Sequence, residues 1–284
     1  MFDFQESQCD DGALQRYATL FRTCFPNASH LTPAYLRWLY HDNPCGHVVG
    51  MDALVDGVLA AHYVCIPAVI NLQGVEARAL LSLNTATHPS YQGKGLFTKL
   101  AELTYDLGRR MGFSSVYGVA NANSTPGFLR KLGFQHVACL DARIGLGRPA
   151  SIDWDRVGRE AEFCRRWNSE QLQWRMRNPV NPLRFSRLDE GSSAFYAKTD
   201  KRGVMVWGEA PLALDGVAEV RPSAFSPKLF LGLYPHGAAT RRLSIDIPSW
   251  MRPSPLNFIY RSLREDHRID PRAVSFNFMD FDAY

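Results

Sequence analysis

The stretch from Ala79 to Leu100 constrains the fold of this chain more than any other. An apolar run of strand length, Ala79-Leu-Leu-Ser-Leu83, leads past Pro89 into Gln92-Gly-Lys-Gly95 and then into an amphipathic segment that starts at Leu96. Pro89 removes a backbone donor and biases His88 away from helix, so the strand stops near Thr87. Gly93 and Gly95 strip the loop of side chains and let the main chain approach a ligand. The helix that follows presents its unpaired first-turn N–H groups and positive dipole end to the same space. A strand, a bare loop and a helix N-terminus in this order suit a pyrophosphate.

The two best-known phosphate loops fit poorly. The dinucleotide fingerprint wants a third glycine where Thr98 stands, and the P-loop wants Ser or Thr where Gly95 stands. The stretch instead resembles the acyl-CoA loop of the GNAT acyltransferase superfamily, a strand ending in V-x-P followed by Q/R-x-x-G-x-G/A at the start of a helix. Here Thr87-His88-Pro89 stands for the first element and Gln92 to Phe97 for the second. The likeness continues downstream, where Ser114–Ala120 reads as the next buried strand. Asn121-Ala-Asn-Ser-Thr-Pro-Gly-Phe-Leu-Arg-Lys-Leu-Gly-Phe134 then resembles the family's Asn followed by a helix ending in K-L-G-F. Two positions depart from the pattern. Phe97 replaces a small residue at the end of the loop, and Leu129 stands where the family often places a Tyr that protonates the leaving thiolate.

The resemblance implies a site built from named positions. Free backbone groups of Thr85, Ala86 and Thr87, on a strand that splays from its neighbour, would bind pantetheine and polarise the thioester carbonyl. Gln92, Gly93, Lys94, Gly95, Leu96 and Phe97 would hold the pyrophosphate, and Asn123 the cofactor arm. Acetyl-CoA, or a similar acyl-CoA, would be the co-substrate, with no metal. Direct attack by an amine needs no nucleophilic side chain. The family commonly places a Glu shortly before V-x-P, but Ser82, Leu83 and Asn84 fill that region and Glu76 comes too early. His62 and His88 are candidate bases by their ordinary pKa. Asp282 and the α-carboxylate of Tyr284 are the others, because tandem relatives of this fold can bring a C-terminal carboxylate into the active site.

Composition bounds the remaining choices. With 284 residues, 46% of them hydrophobic, the chain suits two ordinary domains with real cores. No basic region followed by an apolar core opens it, and the run Val58–Ile70 is interrupted by His62 and Pro67, so a soluble cytoplasmic protein without a membrane span is expected. Six cysteines show neither C-x-x-C nor Cys/His ligand spacing, and reduced structural thiols are expected. A formal charge of +4 with both signs interspersed calls for no nucleic acid. Arg165, Arg166, Arg175, Arg177, Arg184 and Arg187 read as a solvated helix face, or alternatively as a site for an anionic acceptor such as a sugar nucleotide.

Helices are expected from Asp11, over Thr32–His41, 96–111 and 125–132, with strands over Val48–Val55, Val58–Leu72, Val75–Thr87, 114–120 and 134–145. Asp56-Gly57 and Gln73-Gly74 mark hairpin turns. The second half echoes the first: Leu36-Arg-Trp38 with Asn43-Pro44 recurs as Leu172-Gln-Trp174 with Asn178-Pro179, capped by Thr32 and Ser169. Each copy precedes two strands joined by a turn, the second pair being Ser193–Lys198 and Val204–Trp207. No second Q-x-x-G-x-G/A occurs after residue 150. The expectation is a mixed-sheet α/β chain, with a GNAT-like acyl-CoA-binding domain over 1–148 and a degenerate GNAT-like lobe without the cofactor loop over 149–284. Its reaction would be N-acyl transfer to a small-molecule amine, an amino sugar or amino acid. An aminoacyl-tRNA-dependent transferase and a non-catalytic acyl-CoA-binding scaffold are the alternatives.

Overall fold

The computed structural model describes residues 1–281. The chain opens with strand β1 (Asp3–Glu6) and helices α1 (Asp11–Cys24) and α2 (Pro33–Tyr40), then forms the meander β2 (Val49–Val55), β3 (Val58–Leu72) and β4 (Val75–Thr87). Asp10 starts α1 by accepting from the N–H groups of Gly12 and Ala13, and Thr32 starts α2 by accepting from Tyr35, with Pro33 at the first helical position. Both hairpin turns carry two residues of positive φ, Asp56 (51°) with Gly57 (78°) and Gln73 (52°) with Gly74 (82°). That is the turn geometry whose twist matches the flanking strands. Helix α3 (Leu96–Arg110), β5 (Ser115–Ala120), α4 (Thr125–Lys131) and β6 (Gln135–Cys139) follow.

The single strand expected over 134–145 is two. Leu140 interrupts it, and β7 (Asp141–Gly145) leaves for another part of the sheet. After it come β8 (Ala150–Ile152), α5 (Trp154–Glu160), β9 (Phe163–Arg165), α6 (Ser169–Met176), β10 (Arg184–Arg187), β11 (Ser193–Lys198) and β12 (Met205–Ala210). The chain continues through β13 (Lys228–Leu233), β14 (Ala239–Arg241), β15 (Ser244–Asp246), β16 (Asn257–Ser262) and β17 (Val274–Asn277). Helix α6 is capped by Asn168, not Ser169, because Asn168 and Gln171 form a reciprocal capping box one residue earlier.

Among the described residues, fifteen strands join one mixed sheet, eleven along the order β10-β11-β12-β13-β17-β9-β3-β4-β5-β16-β6 and four, β1, β2, β7 and β15, off that path. Its pairing repeats a local pattern. β4 lies parallel to β5, β16 is antiparallel to β5, and β6 is antiparallel to β16. Likewise β12 lies parallel to β13, β7 is antiparallel to β13, and β15 is antiparallel to β7. The inserted strand comes from the other half of the chain in each case. The two crossing segments meet where the Leu140 N–H donates to the Leu256 carbonyl (2.8 Å).

Around β3–β5 the sheet has a core on each face. Tyr105, Leu100 and Phe128 from α3 and α4 pack on one side with Tyr63 and Val116. On the other, Tyr17 and Leu36 from α1 and α2 share a core with Tyr117, Phe163, Phe258 and Phe276. No helix of the described residues is long and apolar enough to cross a membrane.

The two echoed tryptophans, 136 residues apart in sequence, touch. Their rings stack at 4.9 Å and 18°, and each indole N–H donates 2.9 Å to the other's backbone carbonyl. Asn43 and Asn178 also match, each accepting with its side chain from the N–H two residues on. Trp174→Ala should cost about 3–5 kcal/mol of stability, and adding Trp38→Ala should cost less than it does in the parent, since the stack is already lost. Denaturant unfolding of the four proteins measures this; strict additivity would show that the stack has no energetic role.

Candidate active site

β4 stays paired with β3 as far as Thr87, yet it pairs with β5 only from Ala79↔Ser115 to Leu81↔Tyr117. Beyond those three pairs the parallel strands part, and Ser82–Thr85 remain partly exposed. The β3–β4 register slips here. Leu83 faces Val64 and Ala86 faces His62, which leaves one extra residue in β4, and Asn84 takes φ 47° within it.

His88 closes the strand, its N–H bonding the Ala60 carbonyl (2.9 Å) and its Nδ1 accepting from the Ser90 N–H (3.2 Å). This caps a single tight turn over Pro89–Tyr91, so His88 is held in a structural role. Gln92 to Gly95 are exposed, and Gly93 and Gly95 take φ 76° and 74°. A Cβ at either glycine would meet nothing within 4 Å, so conformation, not crowding, calls for glycine here. Gly95 begins α3 without a side-chain cap, and no acidic residue lies in the first turn. The Lys94 ammonium sits 5.2 Å above the Tyr91 ring. Open N–H groups, open space and a nearby cation fit the diphosphate of an acyl-CoA.

Phe97 does not block this loop. Its ring turns inward against Phe128 (5.4 Å, edge-on) and Tyr63 (5.9 Å), and a Cβ on Gly127 would come within 3.0 Å of it. The large residue in α3 is thus matched by a glycine in α4. Leu129 packs against the same apolar cluster and carries no proton to give. Asn123 is exposed, with only its backbone N–H donating to the Asn121 side chain (3.0 Å). Asn121 shapes the loop by also accepting from the Ser124 N–H and hydroxyl.

His62 is fully buried on β3. Its Nδ1 lies 2.6 Å from Asp52 and its Nε2 3.2 Å from the Tyr40 hydroxyl, while Tyr17 stacks on the ring at 4.0 Å. The Asn84 amide donates to the same Tyr40 hydroxyl (3.2 Å), so a buried network runs from Asp52 through His62 and Tyr40 to the bulge of β4. Burial works against ionising Asp52, but the His62 imidazole and hydrogen bonds from His62, Tyr17 and Ser7 hold its carboxyl below the usual range. An Asp in the middle of Val48-Val-Gly-Met-Asp-Ala-Leu-Val55 is the sequence signal for such a partnered group; the links to Tyr40 and Asn84 have none. Glu76 sits exposed at the opposite end of β4, facing Asn71, roughly 30 Å from Thr85 at strand rise. Asp282 and Tyr284 lie outside the described residues.

The six arginines do not form a helix face. Arg165 on β9 is buried and donates to the Tyr117 hydroxyl (2.9 Å), and Arg175 on α6 is buried and donates to the Phe281 carbonyl (2.9 Å). Arg187 on β10 pairs with Asp215 (3.0 Å). Among the described residues no cluster of three His, Cys, Asp or Glu side chains forms a metal site.

Residues 7–137 match the family model described as "Acetyltransferase (GNAT) domain". This part of the chain, just under half of it, is similar to a GNAT domain. No curated protein matches the chain. At the level of fold, similarity to solved structures extends over nearly its full length. A GCN5-related N-acetyltransferase from Anabaena variabilis ATCC 29413 is 10% identical with a TM-score of 0.59, covering 92% of this chain and 73% of that one. A conserved protein of Enterococcus faecalis V583 gives 12% and 0.57 over 93% and 73%, and Eis1 from Mycobacterium abscessus gives 11% and 0.56 over 93% and 74%.

Beside the parted strands, Asp280 is buried, accepting from the Asn277 N–H (2.7 Å) and the Trp167 indole (2.8 Å). Burial pushes its carboxyl up from 3.8 to about 6, against those bonds and the charges of Arg165 and Arg175. The unfolded chain therefore releases this proton near pH 4 while the folded chain keeps it to about pH 6. Stability from this group falls as pH rises between the two. Relative to the parent, Asp280→Asn should gain about 3 kcal/mol between pH 4 and pH 7 by denaturant unfolding; an unchanged difference would show that the carboxyl titrates normally.

Proposed function

We propose that the chain moves an acyl group, acetyl in the simplest case, from acyl-CoA to a primary amine of a small molecule by direct attack. The parting of β4 from β5 with the Gly93–Gly95 loop at its mouth carries this reading. The acyl-CoA supplies the activated thioester. The first-turn N–H groups of α3, beside Lys94, hold the diphosphate. Backbone groups of Thr85, Ala86 and Thr87 and the bulge at Asn84, not taken up by pairing with β5, orient the pantetheine arm and polarise the carbonyl. The amine enters from the face that carries α1 and α2. His62 acts through Tyr40 and Asn84 as a positioning residue, since it is sealed from that face. The reading divides the chain into an acyl-CoA lobe over 1–148 and a cofactor-free lobe over 149–284. The repeated pairing of β4/β5 and β12/β13 and the Trp38–Trp174 stack support that division. All six cysteines are free thiols, which suits the reducing cytoplasm.

Gly95→Asp places a carboxylate beside the diphosphate in a backbone conformation that suits glycine. It should weaken acetyl-CoA binding by about a hundredfold or more in calorimetry. Unchanged affinity would overturn the site. Tyr40→Phe removes the hydroxyl that joins Asn84 to His62. With an accepted amine, kcat should fall roughly tenfold while acetyl-CoA affinity holds, as expected for a lost positioning bond. A loss of affinity alone would place the network in cofactor binding instead.

A further inference from the structure

A cavity of about 530 Å³ opens beside the parted strands, and Val119 and Asn121 at the end of β5 form part of its wall. Its floor is one face of the β7–β13 pair, where Ala142 lies opposite Leu231 and Ile144 opposite Leu229. Leu140 and Leu256, at the strand crossing, line it as well. The size suits one small molecule.

Several of the polar groups along this wall are already engaged. Arg252 donates to the carbonyls of Ile247 (2.9 Å) and Leu140 (3.1 Å), and the Ile247 N–H donates to Ala142 (2.9 Å). The Asn121 side-chain Oδ1 accepts from the Asn123 and Ser124 N–H groups, the Ser254 hydroxyl accepts from the Ala122 N–H (3.0 Å), and the Thr199 hydroxyl donates within its own turn. Asp200 and Lys201, which are exposed and of opposite sign, lie in the hairpin between β11 and β12.

Resting on the acyltransfer reading above, we propose that the acceptor is an amine with an apolar body, aromatic or branched hydrocarbon, which this cavity holds while the amine faces the parted strands. A polyhydroxylated amino sugar could bond Asp200 or Lys201 but would otherwise exchange water for an apolar floor, at about 1–3 kcal/mol for each stranded hydroxyl. An apolar body instead gains from every contact with the leucine and isoleucine floor.

The test uses the full chain with acetyl-CoA. Acceptance of 2-phenylethylamine and 3-methylbutylamine is compared with that of glucosamine and kanamycin by steady-state turnover, and direct amine binding is followed by calorimetry. The apolar amines should be favoured about a hundredfold in kcat/KM. Ile144→Asp should raise their KM roughly tenfold and leave acetyl-CoA affinity unchanged. Equal or better use of the amino sugars, or no uptake of either class by a protein that binds acetyl-CoA, overturns the inference while the cofactor site stands. If Ile144→Asp weakens decanoyl-CoA but not the amines, the cavity holds the acyl chain and the inference is wrong. Failure to bind acetyl-CoA at all removes the underlying reading as well. The comparison of amines on the unaltered protein decides the matter even if the variant does not fold.

Discussion

The site depends on how few residues hold β4 and β5 together. Three pairs, ending at Leu81 and Tyr117, fix the strands side by side, and the next residues are free to diverge. A parallel pair whose backbone groups go unmet inside a core would be costly. Here the divergence reaches a partly exposed surface, so those groups can serve a ligand. The bulge at Asn84 has the same logic. An extra residue in β4 turns backbone groups out of register, and the Tyr40 hydroxyl holds the displaced side chain in place.

What keeps the strands from closing is packing on both sides. Above β5, the rings of Phe97, Phe128 and Tyr63 wedge α3 and α4 into position, and Gly127 makes room for Phe97. Below it, Tyr117 is gripped by Arg165 and by the Phe163 and Phe276 rings. Burying a guanidinium is expensive unless it is bonded, and Arg165 gains both the Tyr117 hydroxyl and the face of Trp167 at 4.4 Å. The second half of the chain thus supplies part of the foundation on which the parted strands rest.

Local chemistry made the N-terminal elements legible. Thr32-Pro33, Asp56-Gly57, Gln73-Gly74 and Gly93-Lys-Gly95 each announce a cap or turn through the residues that form it, and the elements they delimit fall where periodicity places them. The Trp38 and Trp174 echo was legible for the same reason, as a short motif on a capped helix. Long-range contacts were not. Nothing local in Gln135–Gly145 shows that Leu140 ends one strand and that the next joins a distant neighbour. An arginine reads as solvated until the aromatic rings and carbonyls around Arg165 and Arg175 are in view. The network from Asp52 to Asn84 joins residues from three strands and a helix, and only the assembled sheet brings them together.

The exchange of β7 and β16 ties the halves in a way that a linker would not. Each strand occupies a central place, between β5 and β6 in one case and between β13 and β15 in the other, so removing it would leave backbone groups unpaired on both sides. A cut near residue 148 would therefore deprive both pieces, the first of β16 and the second of β7. Closing either strand sequence requires contacts far apart in the chain, as with Leu140 and Leu256, and such closure is slow to form but shared once made. The crossing strands also line the apolar cavity. The step that completes both parts of the sheet is thus the one that builds the wall facing the parted strands, and those strands and their neighbouring cavity become parts of one cooperative unit.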